Sequence, residues 1–117
     1  MDLTAFKEFK FSAAHCLEIE GHRCSNMHGH NYTVRIEVSG QADENGMIID
    51  FDEIKKHANP LIAKIDHTNL NTTIGNSTSE SICKWFHKHL KEKITGISKI
   101  EVRETASCGA VLKIKKV

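Results

Sequence analysis

The stretch Cys24-Ser25-Asn26-Met27-His28-Gly29-His30-Asn31-Tyr32-Thr33-Val34-Arg35-Ile36-Glu37-Val38-Ser39 carries the strongest pattern in the 117-residue chain. From residue 27 to residue 39 it predicts a β-strand, because side chains two residues apart leave the same face of a strand. His28, His30, Tyr32, Val34, Ile36 and Val38 share one face, and Asn31, Thr33, Arg35 and Glu37 share the other. Two histidines therefore stand at one end of an otherwise apolar face, with Gly29 leaving the position between them uncrowded. That is half a metal site.

The flanking segments complete it. Residues 5–15 read as another strand, in which Phe9, Phe11, Ala13 and His15 alternate with Lys10, Ser12 and Ala14, so this apolar face also ends on a histidine. If the two strands pair as an antiparallel hairpin around the polar loop 16–23, the end of one lies beside the start of the other and three imidazoles meet. Downstream, a turn over 40–46 and the apolar run Met47-Ile48-Ile49 lead to a helix opened by the capping box Asp50 and Glu53. Phe51, Ile54, Ala58, Leu61, Ile62 and Ile65 recur at helical spacing, and Pro60 is expected to kink or divide the helix. It ends at Asp66-His67, before a polar loop over 68–76. A second helix, capped by Ser77 or Thr78, carries the stripe Ile82, Trp85, Phe86, Leu90 and Ile94 and stops near Gly96. Strands over 98–105 and 110–115, joined by a turn at 106–109, close an α+β order of β-β-α-α-β-β. The length suits one domain over 1–117.

Composition narrows the classes of function. Sixteen Lys plus Arg balance fifteen Asp plus Glu with no long block of either sign, which disfavours a nucleic-acid or membrane-surface partner. No apolar run approaches the ~20 residues of a membrane span, and Met1-Asp2-Leu3-Thr4 lacks the pattern of a signal peptide. The expectation is a cytoplasmic protein whose four cysteines, Cys16, Cys24, Cys83 and Cys108, are thiols, since none forms a C-x-x-C pair. Eight histidines are the one compositional oddity.

Three neutral imidazoles, His15, His28 and His30, suit zinc, and three protein ligands leave a position open for water or substrate. An ion there polarises a substrate oxygen and lowers the pKa of what it binds. Cys24 has three readings: a fourth ligand, a catalytic thiolate beside the metal, or a free loop thiol; spacing alone does not separate them. In Asp66-His67 an aspartate can orient an imidazole for acid/base work, although adjacent Asp-His pairs also arise by chance at helix ends. Glu104 shares a strand face with Ile100 and Val102. Either the strand is leaving the core there, or the carboxylate is paired, and a ligand presenting two N–H groups, as an aminopyrimidine does, would pair it.

The motifs F-S-A-A-H (11–15), G-H-R-C-x-x-x-H-G-H (21–30), I-D-F (49–51), I-D-H-T-N-L-N (65–71), T-S-E (78–80) and V-R-E-T (102–105) resemble the 6-pyruvoyl-tetrahydropterin synthase superfamily over essentially the whole chain. The three-residue gap between Cys24 and His28 is similar to that of the 6-carboxy-tetrahydropterin synthase branch, which serves queuosine biosynthesis. The resemblance implies a tunnelling fold (T-fold): a four-stranded antiparallel sheet with two helices on one face, in trimers or hexamers with active sites between subunits. It also implies His15, His28 and His30 as zinc ligands, Cys24 as proton acceptor, Asp66 with His67 as a proton relay, and Glu104 as pterin anchor and member of that relay. Thr78 and Ser79 fall in the segment that lines the pterin pocket. The implied reaction converts 7,8-dihydroneopterin triphosphate to 6-carboxy-5,6,7,8-tetrahydropterin with release of acetaldehyde and triphosphate. A pyruvoyl-type synthase and a non-catalytic zinc or pterin-binding module are the alternatives.

Overall fold

Two long strands dominate the computed structural model, which describes residues 2–22 and 25–115. β1 (Leu3–His15) and β2 (His28–Gly40), each of 13 residues, pair antiparallel from Leu3↔Gly40 to His15↔His28. α1 (Phe51–Ile65) follows, then β3 (Thr68–Asn69), α2 (Leu70–Thr73), α3 (Ser79–Leu90), β4 (Ile97–Arg103) and β5 (Gly109–Lys113). The sheet order is β3-β1-β2-β4-β5, with every pairing antiparallel except β1 with β3. This is the expected α+β architecture with two corrections, since the sheet has five strands rather than four and a short third helix joins the expected two.

The fifth strand had no periodicity to announce it. Two residues carry no alternation, and β3 exists because the chain just before it docks on β1: the Ser12 amide donates to Asp66 Oδ1 at 2.9 Å, and the His67 amide donates to the Ser12 carbonyl at 2.5 Å. The same segment, expected as loop, also holds α2, capped by the Asn69 side chain and anchored by fully buried Leu70. Pro60 does not divide α1. Pro60 and Lys56 are both exposed, so the Lys56 carbonyl, which loses its helical donor at proline, is on the solvent side.

The core lies between the sheet and the helices. Phe9, Phe11 and Ala13 of β1, Tyr32 to Val38 on alternate positions of β2, and Ile100 and Val102 of β4 meet Ile54, Ala58 and Ile65 of α1 and Ile82, Phe86 and Leu90 of α3. Phe51, expected in the α1 stripe, is 52% exposed, because the first residue of the helix lies beyond the core. α3 stops at Leu90, and a turn carries Ile94 into the core with its amide on the Leu90 carbonyl at 2.9 Å. The opposite sheet face is polar, with Arg35 bonded to Glu37 at 2.9 Å and stacked on Phe6, and with Lys99 beside Glu37. Cys16, Cys83 and Cys108 are free thiols, as expected. Buried Cys83 bonds the Ile100 and Ala110 carbonyls, and burial pushes its thiol up to about 11. Among the described residues no helix is long and apolar enough to cross a membrane.

The β4–β5 hairpin depends on Gly109. A side chain there would collide with the Val102 carbonyl oxygen and the Arg103 Cα, both backbone atoms of the paired strand. Gly109→Ala is therefore expected to destabilise the chain by about 1–3 kcal/mol, the usual range for overpacking. Chemical denaturation checks this, and an unchanged midpoint would contradict the packing.

Candidate metal centre

The register of β1 on β2 assembles the histidines. His15 and His28 are cross-strand partners, and His30 lies two residues further along the same face, opposite the small side chain of Ala13. Ring centroids are 4.6 Å apart for His15 and His28, 4.8 Å for His28 and His30, and 5.2 Å for His15 and His30. One ring nitrogen from each lies within 4.8 Å of the other two. Gly29 is not required by crowding, since a Cβ there would sit at an ordinary 3.7 Å from the Ala13 carbonyl.

Hydrogen bonds decide which nitrogens turn inward. His15 Nδ1 donates to the Ser77 carbonyl at 2.9 Å, and His28 Nδ1 donates to the Asn26 carbonyl at 2.8 Å. In a neutral imidazole the other nitrogen then presents a bare lone pair. The two Nε2 atoms are 3.1 Å apart, so two lone pairs face each other, an arrangement that a shared proton or a cation relieves. Two nitrogens bound tetrahedrally to one zinc stand about 3.3 Å apart, given metal–nitrogen distances of about 2.0–2.1 Å. His30 Nε2 is buried with no hydrogen-bond partner among the described residues and lies 3.8 Å from Glu104 Oε2. An orphaned nitrogen beside two opposed lone pairs fits a divalent metal ion that accepts imidazole ligands. Cys24, the cysteine of the opening motif, lies outside the described residues.

The surroundings of His30 favour its neutral form. Burial lowers the pKa of His30 below the ordinary value of 6.5, opposed by the Glu104 carboxylate and reinforced by the neighbouring His15 and His28. Behind the cluster, fully buried Tyr32 stacks on Phe11 at 4.8 Å and makes edge contacts with His15 and His30 at 5.9 and 5.6 Å. Its hydroxyl has no hydrogen-bond partner among the described residues, and burial, with Glu104 adding, holds it well above the usual phenol range.

Glu104 combines its two sequence readings. β4 ends at Arg103, so Glu104 has left the ladder, yet its carboxylate is turned inward. Oε1 accepts from the hydroxyl of buried Ser79 at 3.0 Å, and Oε2 approaches His30. Ser79 is the first residue of α3, and Thr78 is its N-cap: the Thr78 hydroxyl accepts from the Ser81 amide at 3.1 Å and donates to the Ser81 hydroxyl at 3.0 Å. Thr78 thus serves the helix end, whereas Ser79 serves the carboxylate. A cavity of about 420 Å³, lined in part by Cys16, Asn71, Ser77 and Thr78, borders this region.

Among the described residues no hydrogen bond or ion pair joins Asp66 or His67 to the triad. Asp66 Oδ1 accepts from the Ser12 amide and lies 3.0 Å from His67 Nδ1. The Ser12 amide first, then His67, hold the Asp66 carboxyl below its usual range. His67 has φ 58° and a side chain 79% exposed. Left-handed backbone costs a non-glycine residue on the order of 1–3 kcal/mol, and here the docking on Ser12 maintains it. His67 lines a groove of about 500 Å³ with Ser12, Gly29, His30, Asn31 and Asn69. Ser12 and Asn31 belong to the sheet face opposite that of His15 and His30, and they bond each other at 2.7 Å. The structure therefore groups His15, His28, His30, Glu104 and Ser79, and holds Asp66–His67 at the β1 edge of the sheet, across a groove that His30 also lines. The Ser77 and Asn26 carbonyls escaped the sequence reading because a backbone carbonyl leaves no residue signature; Tyr32 could have been found from its i+2 spacing to His30.

Comparison with known proteins agrees with this geometry. The model of the 6-pyruvoyl tetrahydropterin synthase family matches residues 4–115. An Archaeoglobus fulgidus protein provisionally named 6-carboxy-5,6,7,8-tetrahydropterin synthase is 45% identical over 95 residues, covering 80% of this chain and 81% of the relative. The 6-carboxy-5,6,7,8-tetrahydropterin synthase of Synechocystis is 36% identical over 114 residues, covering 90% and 88%. The structure of Caenorhabditis elegans 6-pyruvoyl tetrahydropterin synthase superposes with a TM-score of 0.87 at 26% identity, covering 98% of this chain and 97% of that one. A sheet that delivers three histidines from one hairpin, a carboxylate beside them and a family match along nearly its whole length make this chain a member of the 6-pyruvoyl tetrahydropterin synthase family.

Proposed function

We propose that the chain is a single-domain, cytoplasmic, zinc-dependent enzyme that converts 7,8-dihydroneopterin triphosphate to 6-carboxy-5,6,7,8-tetrahydropterin, releasing acetaldehyde and triphosphate, on the route to queuosine. The observation that carries this reading is the pair of opposed Nε2 lone pairs 3.1 Å apart, with His30 and the Ser79-held Glu104 beside them. A zinc ion held by His15, His28 and His30 would supply Lewis-acid polarisation of the substrate's side-chain oxygens. Glu104 accepts the two N–H groups of the aminopyrimidine edge, and its bond from Ser79 sets the angle of the carboxylate. Cys24, as thiolate, takes the proton from carbon, and His67, oriented by Asp66, moves protons on the other side. Thr78 caps the helix that presents Ser79.

Because Asp66–His67 stands at the sheet edge with no hydrogen bond or ion pair to the triad among the described residues, we assign it to a site completed by another copy of the chain, in trimers whose sheets join into a barrel and stack as hexamers. The outer edge of β5 and the exposed Leu3, Phe6 and Val111 support such an assembly, since an uncovered sheet edge invites pairing. The structural match to a pyruvoyl enzyme favours a pyruvoyl-type product as the second reading.

Product identification separates the two. Purified protein given 7,8-dihydroneopterin triphosphate is expected to release acetaldehyde, detectable with a coupled alcohol dehydrogenase; consumption of substrate without acetaldehyde would shift the assignment to the pyruvoyl product. Cys24→Ala is expected to retain one zinc per chain while turnover falls by about 10²–10⁴-fold, the usual range for a proton-transfer group. Metal analysis that finds the zinc lost would make Cys24 a ligand instead.

The metal-free protein should also lose stability in mild acid. His30 and His89 both have folded-state pKa values below 6.5, each from burial first; His15 and His28 add to the effect at His30, and Lys64, Lys88 and Lys93 at His89. The unfolded chain therefore takes up protons before the folded one, so stability is full above the ordinary histidine value and is lost as pH falls through the folded values. Melting temperature should decline between about pH 7 and pH 5, a window set by the reference histidine value. A rise over that interval would contradict the burial of these imidazoles.

A further inference from the structure

The I-D-H-T-N-L-N motif ends in Asn71, whose side chain has no part in the chemistry proposed above. Its carboxamide nevertheless makes both bonds that a neighbouring peptide would make with the residue after a metal ligand. Asn71 Oδ1 accepts from the Cys16 amide at 2.8 Å, and Nδ2 donates to the Cys16 carbonyl at 2.9 Å. The parallel ladder of β1 with β3 runs through Ala13↔Thr68 and Ala14↔Asn69 and then ends, because the chain turns into α2 at Leu70. Asn71 fills the next rung with a side chain.

The same carboxamide holds the other side of the His15 hydrogen bond. Nδ2 also reaches the Gly75 carbonyl at 3.4 Å, and Gly75, at φ 98°, turns the chain toward Ser77, whose carbonyl accepts from His15 Nδ1. The buried Ser77 hydroxyl returns to the Cys16 carbonyl at 3.4 Å. The Asn71 backbone is itself fixed, since its amide donates to the Asn69 side chain at 3.0 Å. One amide group thus ties together the residue after His15 and the turn that delivers the acceptor of His15.

We propose that Asn71 is a positioning residue for the metal centre: it supplies a missing rung of the sheet and so fixes the His15–Ser77 bond that leaves His15 Nε2 bare. This rests on the metal reading of the triad, but the tautomer can be tested without metal. Two-bond ¹H–¹⁵N NMR of the metal-free protein at about pH 8, above the histidine range, should show His15 protonated on Nδ1. In Asn71→Ala, and in Asn71→Asp, which keeps an acceptor for the Cys16 amide but sets a carboxylate against two carbonyls, His15 should become a mixture of tautomers. His28, held by the Asn26 carbonyl, should not change. The zinc dissociation constant, measured by competition with a chelator, should rise by about 10–100-fold, the usual effect of losing a partner that orients a ligand.

A wild-type His15 protonated on Nε2 would overturn the proposal. So would folded variants with an unchanged His15 tautomer and zinc affinity, or the unfolding of both variants, since Asn71 would then serve the fold and not the ligand. Wild-type protein with the expected tautomer and no zinc binding would instead overturn the metal reading.

Discussion

The antiparallel register of β1 on β2 is the constraint on which the rest depends. Side chains alternate between the two faces of a strand, so a slip of one residue would exchange the faces of one strand relative to the other. Val34, Ile36 and Val38 would leave the helices at the moment His28 and His30 left His15. Packing and site assembly are thus enforced by the same ladder. The apolar residues specify a register strongly because their burial depends on it, and the histidines, at the end of the same alternation, need no separate device to find one another.

The site is nevertheless in tension with the core that builds it. A buried polar group without a partner is costly, and the end of this core holds His15, His28, His30 and the Tyr32 hydroxyl. Backbone carbonyls relieve half of the problem. Ser77 and Asn26 each take one imidazole proton, which satisfies Nδ1 and commits the remaining nitrogens to face one another. What is left over, two opposed lone pairs and an orphaned His30 nitrogen, is unfavourable for the fold by itself and suited to a cation. Local destabilisation of this kind at a functional centre is held in place by the surrounding packing, here the Phe11–Tyr32 stack and the thirteen-residue strands.

How much of this was legible in the sequence follows from the range of the forces involved. Period-2 alternation in β1 and β2 and the stripes Ile54-Ala58-Ile65 and Ile82-Phe86-Leu90 are local patterns imposed by one large core, and they read directly. The meeting of His15 with His28 and His30 needed only the further assumption of a hairpin. β3 and α2 were illegible because they owe their existence to contacts with β1, namely Asp66 and His67 on Ser12 and Asn71 on Cys16, rather than to any pattern of their own. Pro60 was misjudged as a possible break because its cost depends on whether the deprived carbonyl meets solvent, which requires knowing which face of α1 is buried. The inward turn of Glu104 beyond the end of its strand depends on Ser79, 25 residues away, and periodicity carries no such information.

The alternation that gathers the triad also separates it from Asp66–His67. Ser12 lies between Phe11 and Ala13 on β1, so Asp66–His67, docked on the Ser12 backbone at the sheet edge, borders a groove that the outward Ser12 and Asn31 share with His30. The left-handed His67 backbone and the bond from Asp66 hold the imidazole in a defined place, although its side chain is 79% exposed. A strained backbone that presents an oriented imidazole to solvent does nothing for the stability of the isolated chain. It does set an oriented imidazole at the rim of a groove that His30 also lines, so the strain coincides with the neighbourhood of the histidine cluster.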